Sequence, residues 1–163
     1  MIFVTIGSMF PFDRLIRAMD DWAAAESGPA ELVAQIGEGR YRPAHMRWVK
    51  SLGRADYART VAEAELVVAH AGMGSVITAG EHGKPIVLLP RRASCGEHTN
   101  DHQVDTARWL RGRPGLFVAD AEADLPAAIA AARAGAGGQA SLGATAPAAF
   151  LERIRRFALE GRG

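Results

Sequence analysis

Short apolar runs without polar alternation recur along this chain, and a stretch with helical spacing follows nearly every one. Ile2–Ile6, Glu31–Ile36, Met46–Leu52, Leu66–Ala69, Ile86–Leu89 and Leu116–Val118 have the length and β-branched content of strands. Phe12–Ala25, Tyr57–Ala64, Ser75–His82, Asn100–Leu110 and Leu125–Ala134 have the periodicity of helices. An unalternating strand is buried on both faces, and strands separated by helices pair in parallel. The expected fold is therefore α/β: a single Rossmann-like, doubly wound parallel sheet of about six strands. Ligands of such sheets bind beyond the carboxyl ends of the strands, which directs attention to the loops after Ile6, Ile36, Leu52, Ala69, Leu89 and Val118.

The 163 residues suffice for one domain, placed here at 1–134. Residues 135–146 (GAGGQASLGATA) have linker composition. Residues 147–163 are expected to form a C-terminal amphipathic helix, with Phe150, Leu151, Ile154 and Phe157 on one stripe and Arg153, Arg155 and Arg156 outside it. This helix can pack in cis or dock on another chain. The net charge of +1 argues against a nucleic-acid partner. Cys95 is the single cysteine, so one chain can build neither a disulfide nor a cysteine zinc site. Met1–Gly7 has no basic leader and is too short for a signal peptide or a membrane span. A cytoplasmic location is the simplest expectation. Abundant arginine and alanine, with Lys50 and Lys84 as the only lysines, point to a bacterial source.

The sharpest local feature is HAGMGS at 70–75, between a strand and a helix. Its glycines permit a tight turn and close approach of the backbone to a ligand. The free N–H groups and positive dipole end of the following helix then face that ligand, which suits phosphate. His70 and Ser75 can add donors. Three other motifs compete for this segment. A nucleophile elbow fails because Met73 stands two residues before Ser75. A P-loop fails because no lysine follows the second glycine, and a dinucleotide fingerprint fails because Ile77 occupies the third glycine position. An NAD(P)-dependent oxidoreductase is thus the disfavoured enzyme alternative.

Arg91 to Gln103 follows the fifth strand and concentrates Arg91, Arg92, Glu97, His98, Asn100, Asp101, His102 and Gln103 on the ligand side. Such side chains can fork onto sugar hydroxyls; the bland alternative is a solvated loop with Asn100 or Asp101 as a helix cap. His98 and His102 share helical spacing, but no HExxH carboxylate and no third ligand accompany them, so no metal is expected. Gly7-Ser8 after the first strand is a smaller version of the 70–75 device, and the two together would bracket a diphosphate.

FVTIGS at 3–8, FDRLI at 12–16, HAGMGS, GKPIVLLPR at 83–91 and GEHTNDHQ at 96–103 resemble, in order, the C-terminal domain of family 28 glycosyltransferases. The resemblance runs to about residue 133. It is nearest to small stand-alone members: the catalytic subunit of the dolichol-linked UDP-GlcNAc transferase and, closer, the PssE-type small subunit of bacterial exopolysaccharide glucuronosyltransferases. It implies the donor-binding half of a GT-B fold, with a UDP-sugar as substrate and no further cofactor. It also implies a membrane-anchored acceptor-domain partner, a lipid-linked saccharide acceptor, and a peripheral position at the inner face of the cytoplasmic membrane. By the same resemblance Gly72, Met73, Gly74 and Ser75 form the phosphate loop with His70 at the strand end, and Gly7 and Ser8 form the first-strand loop. Gln103 with Asp101 and His102 reaches donor hydroxyls, and the backbone near Arg54 and Ala55 reads uracil.

Thr78 stands where many relatives carry the glutamate that takes both ribose hydroxyls, so ribose recognition is expected to be shared with Glu97. The resemblance implies inversion by in-line displacement, with the general base on the acceptor half. His70 would help stabilise the departing UDP. We further expect Arg91 and Arg92 to pair the carboxylate of UDP-glucuronate. The non-enzymatic alternative is a nucleotide-sugar-binding regulatory module without turnover.

Overall fold

The computed structural model describes residues 1–25 and 31–135. The expected terminal helix, and the linker beyond its first residue, lie outside them. Six strands form one sheet: β1 (Ile2–Thr5), β2 (Leu32–Gln35), β3 (Arg47–Val49), β4 (Leu66–His70), β5 (Ile86–Leu89) and β6 (Leu116–Val118). All pairings are parallel and the spatial order is β3-β2-β1-β4-β5-β6. This is the doubly wound order, and the winding reverses between β1 and β4. The loops leaving those two neighbours diverge to opposite faces and open a crevice at the carboxyl edge.

Among the described residues five α-helices cover the sheet: α1 (Asp13–Ala25), α2 (Arg54–Glu63), α3 (Met73–Glu81), α4 (His102–Leu110) and α5 (Leu125–Arg133). Alternate residues of β1 feed two separate cores. Ile2, Val4 and Ile6 pack with Phe12, Leu15, Ile16 and Met19 of the α1 region and with Leu125 and Ile129 of α5. Phe3 faces the other way, into a cluster with Val61 of α2, Val76 and Ala79 of α3, and Ala107 and Leu110 of α4. Burial of apolar surface on both faces explains why the strands carry no polar alternation.

The elements expected within the described residues are all present, with shifted ends. α2 begins at Arg54 and α3 at Met73, earlier than their apolar spacing suggests, while α4 begins at His102, later than expected. β3 is an exposed edge of three residues, with the Arg42 guanidinium stacked 5.3 Å above the Trp48 ring. The connection from β2 to β3 contains no helix, and a buried carboxylate holds it in place. Asp20 of α1 accepts hydrogen bonds from the backbone N–H of Ala44 (2.9 Å) and His45 (2.7 Å) and from the Tyr41 hydroxyl (2.7 Å). Burial alone would raise the Asp20 pKa, but these three donors and the nearby His45 leave it below the ordinary carboxylate value.

Asp20→Ala removes the common acceptor of this connection, and the expected cost is about 2 kcal/mol in urea unfolding at neutral pH. Because the folded carboxyl is the stronger acid, this contribution is present above the unfolded carboxylate pKa and fades as pH falls through the folded one. The gap between wild type and variant should therefore close in acid.

Candidate functional site

The crevice at the β1/β4 switch has a volume of about 600 Å³. Its centre is built from two turns and one ring. Gly7 leaves β1 with a φ of 74°, a left-handed conformation that glycine adopts without strain. Gly72 starts the turn after β4. Between them lies the His70 imidazole: a Cβ on Gly7 would fall 2.6 Å from His70 Cε1, and one on Gly72 would overlap Nε2. Both glycines are therefore required by the same ring. Gly74, one residue into α3, has no neighbour within 4 Å of a Cβ.

The first-turn N–H groups of α3, at Met73 and Gly74, have no intrahelical acceptor and join the positive end of the helix dipole. The buried Ser75 hydroxyl accepts from the Tyr57 hydroxyl at 3.2 Å, which leaves its own proton free for a ligand. Burial, with the Arg91 charge nearby, lowers the His70 pKa to about 4. The ring is therefore neutral at physiological pH and acts as a hydrogen-bonding wall rather than a cation. Its Nδ1 is buried without a hydrogen-bond partner.

On the β5 side the wall is formed by His98, His102 and Gln103. The two imidazoles meet edge to face at 4.3 Å, and Phe10 packs on His98 at 5.2 Å. His98 Nδ1 accepts from the Thr99 N–H at 2.9 Å, and its pKa is lowered by desolvation, by His102 and by Arg91. Gln103 is buried; its Oε1 accepts from the Arg91 N–H at 3.2 Å, which leaves its amide nitrogen for the crevice. On the β2–β3 side the lining is Gln35, Leu52, Arg54 and Tyr57.

The structure thus gathers Gly7, Ser8, His70, Gly72, Gly74, Ser75, Thr78, Arg91, His98, His102 and Gln103 around one space. Thr78 donates to the Gly74 carbonyl at 3.0 Å, as a short hydroxyl on its own helix does. Met73, Arg92, Glu97, Asn100 and Asp101 are not in the lining. Asn100 bonds His102 Nδ1, and Asp101 accepts from the Ala93 N–H at 2.8 Å. Neither residue faces the crevice; both shape the loop that does.

Two expectations need correction. Arg91 does not reach out to read a carboxylate. It is buried, and its guanidinium donates to the carbonyls of Ile6, Phe10 and Pro11. Arg92 turns away, donating to the Asp120 carbonyl. Glu97 is likewise unavailable to a ribose, because Arg14 binds both its oxygens, at 2.7 and 2.8 Å, and the Arg92 N–H bonds it at 3.0 Å. Sequence reasoning overlooked Gln35, Tyr57 and Phe10. Their positions in a strand, a helix and a loop gave no motif, and only the tertiary pairing of β2 and α2 with the switch point brings them in. Among the described residues no group of three or more His, Cys, Asp or Glu is placed to hold a metal ion.

A doubly wound sheet of this order, with its crevice at the switch, is shared with solved glycosyltransferases. The solved glycosyltransferase of kitacinnamycin covers 99% of this chain at a TM-score of 0.62 and 19% identity, and the chain spans 39% of that protein. CalG4, the calicheamicin glycosyltransferase, covers 99% at a TM-score of 0.54 and 18% identity, with 44% of its own length spanned. Residues 1–134 match the glycosyltransferase family 28 C-terminal domain, and the chain belongs to that family. The human UDP-N-acetylglucosamine transferase subunit ALG13 is 32% identical over 130 residues, 71% of this chain and 11% of that protein. A UDP-N-acetylglucosamine--N-acetylmuramyl-(pentapeptide) pyrophosphoryl-undecaprenol N-acetylglucosamine transferase of Nitratidesulfovibrio vulgaris (strain DP4) is 34% identical over 119 residues, 66% of this chain and 31% of that protein. The chain thus spans about a tenth to a third of these relatives. No helix of the described residues is long and apolar enough to cross a membrane.

Two measurements check the geometry. Gly7→Ala and Gly72→Ala each drive a methyl into His70 and should cost about 1–3 kcal/mol in denaturant unfolding, whereas Gly74→Ala should stay within about 0.5 kcal/mol. His70 binds its proton more weakly folded, near 4, than unfolded, near 6.5. The unfolded chain then takes up the proton first, and stability should fall as pH drops from 6.5 to 4, by roughly 3 kcal/mol in total. His70→Asn should lack this component of the pH profile.

Proposed function

We propose that this chain is the donor-binding half of an inverting glycosyltransferase that moves a sugar from a UDP-sugar to a lipid-linked saccharide. The observation that carries the reading is the pair of glycine turns facing each other across His70 at the β1/β4 switch. A diphosphate set there meets the α3 N–H groups, the Ser75 hydroxyl and the neutral His70 ring. Those groups favour its departure, because charge develops on the phosphate oxygens as the glycosidic bond breaks. The acceptor oxygen attacks the anomeric carbon from the opposite side, the C–O bond to the β-phosphate breaks with its electron pair on UDP, and the acceptor proton passes to a base. We assign that base to the acceptor half, supplied by a membrane-anchored partner subunit, which would hold this chain at the inner face of the membrane. The term "subunit" in one relative's name and the undecaprenol-linked acceptor in another's support these assignments.

The nucleoside is assigned to the side of Leu52, Arg54 and Tyr57, and the sugar to the side of His98, His102 and Gln103. Among sugars, glucuronate for exopolysaccharide synthesis is favoured by the resemblance to PssE-type subunits. With Arg91 and Arg92 engaged elsewhere, its carboxylate would meet imidazoles and the Gln103 amide.

Calorimetry with UDP and NADP tests the reading. UDP should bind and NADP should not; the reverse order would overturn it in favour of an oxidoreductase. Co-expression with a membrane-anchored acceptor-domain subunit should then give glycosylated lipid from a UDP-sugar. Binding of UDP with no turnover in that assay would favour a sensing module.

A further inference from the structure

Arg91 is among the largest fully buried side chains in the protein, and every hydrogen bond of its guanidinium goes to a backbone carbonyl. One terminal nitrogen donates to Ile6 at 2.7 Å and Phe10 at 2.6 Å, and the other donates to Pro11. These three carbonyls begin and end the turn that carries Gly7 and Ser8 out of β1. The planar cation also lies over the Phe12 ring, 4.6 Å from its centroid. Among the described residues no carboxylate bonds it: the nearby Glu97 is held by Arg14 and by the Arg92 N–H. A buried cation without an ion-pair partner is costly, and a leucine or methionine would fill apolar space without that cost. Two features show what the charge does where it stands. It reaches the turn from beneath at three points, which fixes the shape of a loop that has no regular structure. It also lines the crevice beside His70 and Gly7, with Arg54 as the other lining cation.

We infer that Arg91 is the positioning residue of the diphosphate site, clamping the 6–11 turn from below and placing a positive charge without an ion-pair partner beside the crevice that the two glycine turns border. This rests on the nucleotide-sugar reading of the crevice and adds to it a buried source of positive charge. The anion would not touch the guanidinium. It would be held by N–H groups that the clamp orients, in a field that the charge sets. The same charge works on His70, whose ring is faced by Arg91, by His98 and by the backbone of Thr5. Of these, burial apart, Arg91 is the larger influence keeping the ring unprotonated.

Arg91→Met and Arg91→Lys, in the full chain, separate the two contributions. Calorimetry with UDP and with uridine reads the diphosphate and nucleoside parts of the affinity, and NMR titration of the His70 ring reads the field. Arg91→Met should lose about tenfold or more in UDP affinity while uridine stays within about twofold, and its His70 pKa should rise. Arg91→Lys keeps the charge but cannot span three carbonyls, so UDP affinity should fall by an intermediate factor with the His70 pKa still low. Equal losses for UDP and uridine, or an unmoved His70 titration in Arg91→Met, would reduce Arg91 to a structural brace and overturn the inference. If Arg91→Met does not fold, Arg91→Lys decides alone: wild-type UDP affinity in that variant would overturn the clamp. Wild-type protein that bound no UDP would withdraw the nucleotide-sugar reading itself, and the inference with it.

Discussion

One imidazole sets the shape of the crevice. The His70 ring stands at the end of β4 and presses on Gly7 from one side and Gly72 from the other. Neither Gly7 nor Gly72 can carry a side chain, so both bring bare backbone to the edge of the crevice. Bare backbone is what a diphosphate needs, since its oxygens are best served by N–H groups that approach without steric screening. The ring could not do this as a cation. Burial keeps it neutral, and a neutral ring can be packed tightly where a charged one would demand water.

The outer parts of the site are held by polar groups rather than by the apolar core. Arg91 grips the first turn through three carbonyls. Arg14 grips the loop after β5 through Glu97 and reaches the Pro90 carbonyl at 2.9 Å and Glu122 at 3.0 Å. Although burial works against the charge of Arg14, its carboxylate partners raise its pKa. Asp20 does the same work for the helix-free connection between β2 and β3. Loops lack a hydrogen-bond ladder of their own, and a charged side chain with several fixed partners supplies one.

The strands, their parallel pairing and the crevice edge were legible in the sequence because they follow from apolar periodicity and glycine placement. The turn at 70–75 was legible because its residues are contiguous. What sequence could not show is where a long side chain spends its donors. Arg91 and Arg92 sit side by side after β5, and their position alone suggests ligand contact. The carbonyls that capture Arg91 belong to residues 80 to 85 positions away. Glu97 was misread for the same reason, since Arg14 lies 83 positions from it. Tyr57 and Gln35 enter the site only through the packing of α2 on α3 and of β2 on β1. Helix starts shifted by two or three residues because the first turn of a helix is set by backbone geometry, not by apolar spacing.

The crevice is open on the side away from the sheet, where Met9 is 79% and Phe10 38% exposed. Water can enter wherever a sugar would lie. On the proposed reading, a half-site that both gripped the donor and activated a nucleophile would destroy its own substrate by hydrolysis. On that reading the described residues would avoid this by dividing the labour: they would ease the departure of the diphosphate and leave the attacking group to be activated elsewhere. Wasteful breakdown would then be suppressed until a second surface arrived, covered the apolar rim and expelled the water with it.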